Sequence, residues 1–144
     1  MSTFTLHVNA LRVVESRLMH LAEAVAVMAR DEVVTTMDPG PARTGNTYLV
    51  PSTKVPYTAS APGEPPAVRE GIYRDSWQFS PAVREGSSIR ARAFTALRTE
   101  DGKYLLGELL EYGTRRPMRP RPHVRPAFES VQPAVAELVR RAAA

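Results

Sequence analysis

Leu11-Arg12-Val13-Val14-Glu15-Ser16-Arg17-Leu18-Met19-His20-Leu21-Ala22-Glu23-Ala24-Val25-Ala26-Val27-Met28 is the stretch on which the fold turns. Leu11, Val14, Leu18, Leu21, Val25 and Met28 follow one another at alternating spacings of three and four, which keeps them on one stripe of a helix. Arg12, Glu15, Arg17, Glu23, Arg30 and Asp31 fall mainly off that stripe. The pattern runs to about Met37, where Asp38-Pro39-Gly40-Pro41 stops it. A helix of about 26 residues would be about 39 Å long, well beyond the ordinary length in globular domains. Its stripe serves either core packing or, because so long a helix overhangs a small domain, packing of subunit on subunit.

Outward from this helix the elements change type. Upstream, Phe4, Leu6 and Val8 alternate with Thr3, Thr5 and His7, the signature of a short half-buried strand, and Asn9 stands where a helix N-cap would be. Downstream, residues 38–71 hold seven of the thirteen prolines. Proline fixes φ and removes a donor, so this segment is neither helix interior nor central strand. It reads as an extended excursion from the body, ordered mainly when something packs on it. Residues 72–79 read as strand, or as a short helix running into strand. Residues 88–94 alternate cleanly, Ile89, Ala91 and Ala93 against Arg90 and Arg92. Glu100-Asp101-Gly102-Lys103 is a turn. Residues 104–112 are apolar and fit either strand or short helix. Pro117–Pro122 form a rigid connector, and Pro126 suits the first turn of a final helix carrying Val131, Val135, Leu138 and Val139. The expected fold is α+β in a single domain, 1–144: short N-terminal strand, long N-terminal helix, proline-rich extended loop 38–71, small antiparallel sheet and C-terminal helix.

Composition narrows the function. The 144 residues are 43% hydrophobic and 24% charged, the balance of a globular domain with one modest core. Cysteine is absent, which removes disulfides, thiolate metal sites and cysteine nucleophiles. No apolar run reaches the roughly 18 residues of a membrane span, and Met1–His7 lacks the pattern of a signal peptide. The net charge is +4, with seventeen arginines and two lysines, Lys54 and Lys103. Arginine suits planar, bidentate contact with carboxylate or phosphate, and a GC-rich coding sequence produces the same bias.

Catalytic patterns fail on inspection. Gly40-Pro41-Ala42-Arg43-Thr44-Gly45-Asn46-Thr47 has the spacing of a phosphate-binding P-loop, but Asn46 replaces the essential lysine, and the segment follows a helix where a P-loop follows a strand. His7, His20 and His123 have no ligand spacing, and Ser76 has no base beside it. No enzyme, catalytic residue, cofactor or metal site is expected. The densest charge feature is Arg115-Arg116-Pro117-Met118-Arg119-Pro120-Arg121-Pro122-His123-Val124-Arg125. It fits phosphate contact, a solvated connector, or inter-subunit pairing with carboxylates such as Glu64, Glu108 or Glu111.

Three blocks, in order, resemble the tail-completion (head–tail joining, or neck) family of long-tailed double-stranded DNA bacteriophages. They are Arg43-Thr44-Gly45-Asn46-Thr47-Tyr48; Ala59–Val68 leading into Gly71-Ile72-Tyr73-Arg74-Asp75-Ser76-Trp77; and Leu110-Glu111-Tyr112-Gly113-Thr114 followed by Arg121–Phe128. His123 and Val124 stand where the family has an aromatic and a leucine, and Glu70-Gly71 replaces its Thr-Gly. The resemblance implies a non-catalytic virion subunit, assembled in the host cytoplasm, that forms a homo-oligomeric ring, commonly of six, at the head–tail interface. Its expected partners are a tail terminator or tail tube protein on one side and a head connector or stopper protein on the other, with genome DNA passing through the channel without sequence specificity. A tail terminator is the nearest alternative, and a basic nucleic-acid-binding module is the alternative of another class.

A ring needs two different faces that meet. The proline-stiffened arm and the arginine-rich connector are expected to supply one, and the long helix the other. The expected interface residues are Arg43, Thr44, Gly45, Pro62, Gly63, Glu64, Pro65, Pro66, Glu111, Tyr112, Gly113, Thr114, Arg115 and Arg116. Arg119, Arg121 and Arg125 are expected to contact DNA or carboxylates.

Overall fold

The computed structural model describes residues 3–5, 8–9, 15–38, 40 and 42–144. The element order is β1 (Thr3–Thr5), β2 (Val8–Asn9), α1 (Glu15–Met37), β3 (Thr47–Leu49), β4 (Pro56–Thr58), α2 (Ile72–Asp75), β5 (Gln78–Glu85), β6 (Ser88–Phe94), α3 (Leu106–Tyr112) and α4 (Val124–Ala143). This is the α+β arrangement expected from the sequence. Asn9 is a strand residue paired with Ser88, and the helix start beyond it, with Leu11 and Val14, lies outside the described residues, as does His7.

β6 is the centre of the main sheet. β5 pairs along one of its edges, and β1 and β2 succeed each other along the opposite edge, all antiparallel. The register shifts between Ser80 and Val83, so Pro81 sits in a bulge on an edge strand, where a missing N–H costs no ladder bond. Two side chains close the bulge: Ser80 Oγ accepts from Arg92 N at 3.0 Å, and Glu23 of α1 accepts from Ala82 N at 2.9 Å.

One face of this sheet is covered by α1. Ile89, Ala91 and Ala93 of β6 point into the core, as their alternation predicts. Ile89 and Ala91 meet α1 through Ala22 and Ala26, with Leu18 and Met19 alongside. Small residues on both sides let helix and sheet approach closely. The buried stripe of α1 therefore includes Ala22, Ala26 and Ala29 beside Leu21, Val25, Val33 and Met37. A second core joins Val33 and Met37 to Trp77 and to Ala127 of α4. Of the two readings of the α1 stripe, core packing is the one this chain displays. From Leu21 to Met37 its apolar stripe is consumed inside the chain, between the sheet and α4.

The long loop carries local structure of its own from residue 42 onward. β3 and β4 form a separate two-stranded hairpin, with Tyr48 opposite Tyr57 and a turn held by Val50 N to Val55 O (2.9 Å) and Lys54 N to Val50 O (2.8 Å). Residues 59–71 then return along the body. The ambiguous segments also resolve. Residues 72–79 are a short helix running into strand, and 106–112 are helix. α4 continues through Pro133.

Candidate functional site

The three sequence blocks meet at one end of α1. Arg43 Nη2 donates to the carbonyls of Thr36 (2.8 Å) and Pro66 (3.0 Å), and so serves one of the carbonyls that a helix C-terminus leaves without a partner. Burial pulls the Arg43 guanidinium below its ordinary pKa, against the opposing pull of Glu64. Glu64 gathers the strap. It accepts from Thr44 N (3.1 Å), Thr44 Oγ1 and Ala61 N (2.8 Å), and these hydrogen bonds, led by the Thr44 hydroxyl, hold its carboxyl below the usual range. Gly45 passes so close to Ala59 that a Cβ would lie 2.4 Å from the Ala59 carbonyl oxygen, which only glycine allows. Pro66 is buried, Pro65 is half-buried and Pro62 is exposed.

The third block is tied to the second. Gly63 N donates to Pro120 O (3.0 Å), and Arg121 Nε donates to Ser60 Oγ (2.9 Å). Arg121 also reaches the carbonyls of Arg119 and Pro120. Gly113 has φ +72°, and a Cβ there would be 2.7 Å from Met118 O. Thr114 then closes a small loop, its N donating to Met118 O (2.8 Å) and its Oγ1 accepting from Met118 N (3.2 Å).

Beneath these straps lies a buried polar network. Glu111, at the end of α3, accepts from the backbone N–H groups of His123 (2.8 Å), Val124 (2.9 Å) and Arg125 (3.0 Å), the unsatisfied donors at the start of α4. His123 has no side-chain cap of its own. A carboxylate from a different helix does the capping. Burial by itself would raise the Glu111 pKa. The hydrogen bonds from the His123 ring and from the three N–H groups outweigh it and hold the carboxyl at about 2.

His123 is fully buried. Its Nδ1 faces two acceptors, Arg121 O (2.8 Å) and Glu111 Oε2 (3.1 Å), so it carries the hydrogen. Nε2 is left to accept from the Tyr73 hydroxyl at 2.6 Å. Trp77 meets the His123 ring edge-on at 6.1 Å. Burial, aided by the Glu111 charge, pushes the Tyr73 phenol well above its ordinary value.

Several expected interface residues thus have work inside the chain. Glu111 and Glu64 are committed to backbone donors rather than waiting at a subunit edge for an arginine. Arg43 and Arg121 are bound to carbonyls and Ser60. Arg125 is exposed and pairs with Glu129 at 3.5 Å. Tyr112 (77% exposed), Arg115, Arg116 and Arg119 stand free on the surface. The P-loop-like spacing leads into strand β3, not a helix. Among the described residues no group of three or more His, Asp or Glu could hold a metal ion, and no helix is long and apolar enough to cross a membrane.

Sequence reasoning missed an exposed apolar group on the hairpin. Leu49 (59% exposed), Val55 (57%) and Tyr48 (50%) project from the β3–β4 hairpin. Their signal, the run Thr47-Tyr48-Leu49-Val50, was submerged among the prolines. No family model, curated protein or solved structure matches this chain.

Proposed function

We propose that the chain is a structural virion protein: a neck or tail-completion subunit that assembles side by side into a ring joining a phage tail to its DNA-filled head. The observation that carries this reading is the β3–β4 hairpin. It exposes Tyr48, Leu49 and Val55 while the rest of the strap around it is stitched to the body. An ordered arm with apolar residues and no cover in its own chain is suited to burial against another copy. Its rigidity lowers the ordering cost of docking.

The receiving surface is the open face of the main sheet, opposite α1. There Ser80, Val83, Arg90, Arg92 and Phe94 line a shallow hollow of about 360 Å³. Arm on one side and hollow on the other make a heterologous pair, the kind that closes a ring. Six-fold symmetry, the tail terminator or tube below and the head connector above belong to the same proposal, through the sequence resemblance.

Two measurements test it. Negative-stain images of purified tails carrying a tagged copy should show label at the head-proximal end, and label at the tail tip or in the capsid shell refutes the reading. The double variant Leu49→Asp/Val55→Asp should keep its far-ultraviolet circular dichroism and fail to join the ring, and normal incorporation removes the arm from the account.

A further inference from the structure

All fifteen aspartates and glutamates lie among the described residues, and each except Glu100 has a hydrogen-bond or ion-pair partner in the chain. The basic groups are not balanced in this way. Among the described residues, the side chains of Arg17, Lys54, Arg92, Arg115, Arg116 and Arg119 have no such partner. Three of these six lie within five consecutive residues. A second copy of the chain has one free carboxylate, Glu100, to set against those three guanidinium groups. The protein's own surface thus offers them few uncommitted carboxylates, and an external polyanion is the better match.

The loop that carries them is built to stay in place. Thr114 and Met118 close it with two hydrogen bonds, which leaves Arg115 and Arg116 at its apex. Its base is anchored by Arg121 N to Leu110 O at 2.6 Å and by Gly63 N to Pro120 O at 3.0 Å. The arginines are exposed, so their charges remain hydrated and available. Between Tyr112 and Arg125 the only aromatic rings are Tyr112 and the buried His123. A row of stacking rings, which single strands require, is missing. Guanidinium forks match phosphate oxygens in pairs.

We infer that the Thr114–Arg119 loop is a docking site for the phosphodiester backbone of duplex nucleic acid, held by Arg115, Arg116 and Arg119 without reading its sequence. The inference concerns the single chain and does not rest on the proposed ring.

The test is fluorescence anisotropy of a labelled 20-base-pair DNA duplex of arbitrary sequence, titrated with the full chain at several salt concentrations. Three phosphate contacts give a slope of about −2.7 in log affinity against log salt, a loss of about 40-fold between 50 and 200 mM. Arg115→Ala/Arg116→Ala/Arg119→Ala should flatten that slope to near zero. Arg17→Ala/Lys103→Ala/Arg140→Ala removes the same charge from elsewhere and should keep most of it. Absence of binding at low salt overturns the inference, as does an equal loss in both triple variants, which would mean diffuse attraction. Poly-glutamate competing as well as DNA at matched charge overturns it in favour of an acidic protein partner. A chain that forms rings but never binds the duplex sinks this inference alone. A chain that binds through the loop and never assembles sinks the ring.

Discussion

Replacing Glu111 by glutamine should destabilise the protein strongly at neutral pH and hardly at all in acid. The carboxylate satisfies three N–H groups at the start of α4 and faces the His123 ring, all within 2.8–3.1 Å. Its pKa falls from an ordinary 4.5 to about 2. A shift of about 2.5 units corresponds to about 3 kcal/mol favouring the folded state. Because the folded-state value lies below the unfolded one, this contribution is complete above about pH 4.5 and disappears as the pH falls toward 2. Glutamine keeps one acceptor oxygen but loses the charge and brings a donor where donors already point. For a chain of this size about 3 kcal/mol corresponds to a fall of roughly 6–12 °C in Tm. The assay is urea unfolding followed by tryptophan fluorescence. Trp77 is the only tryptophan, is buried, and touches the network through His123. Wild type and Glu111→Gln are compared at pH 7, 5, 4 and 3. The gap should be full at pH 7 and 5 and reduced to about half near pH 3. Equal stability at pH 7, or a gap that does not change with pH, would refute the assignment of Glu111 as the charged cap of α4.

Two further substitutions probe the same straps. His123→Phe keeps an aromatic ring in place, yet should cost about 1–3 kcal/mol in urea unfolding, because the Tyr73 hydroxyl and the Arg121 carbonyl lose their partner; an unchanged midpoint would mean ring packing alone matters there. Gly113→Ala forces an alanine into φ +72° and against Met118 O, so thermal melting should drop by the equivalent of about 1–2 kcal/mol for the backbone, with more from the clash; no change in Tm would show that the loop relaxes freely.

The order of elements was readable in advance wherever a periodic signal was strong. The alternation at 88–94 appears in the core as expected, and of the predicted α1 stripe Leu21 and Val25 are buried while Leu18 and Met28 are half-buried. The stripe was nevertheless read one strip too narrow. Ala22, Ala26 and Ala29 are buried against the sheet, but alanine is common on every helix face and carries no periodic signal. The loop 38–71 is legible only in part, for a different reason. Its prolines correctly excluded central strand, but its order comes from Arg43, Glu64 and Arg121 reaching residues 20 or more positions away.

The site residues divide in the same way. Charge and proline content mark residues 115–125 as distinctive, because composition is a local property. Nothing local distinguishes Glu111, consumed in capping a helix that begins at Val124, from Glu100, which has no partner, or Arg121, bound to Ser60, from Arg115, standing free. The strongly periodic helix and strand, the charge and the absence of cysteine chemistry follow from neighbours along the chain and are set by the linear order of residues. Which charges are spent inside the molecule and which are left for a partner depends on contacts between distant segments, and those exist only once the helices and straps have packed.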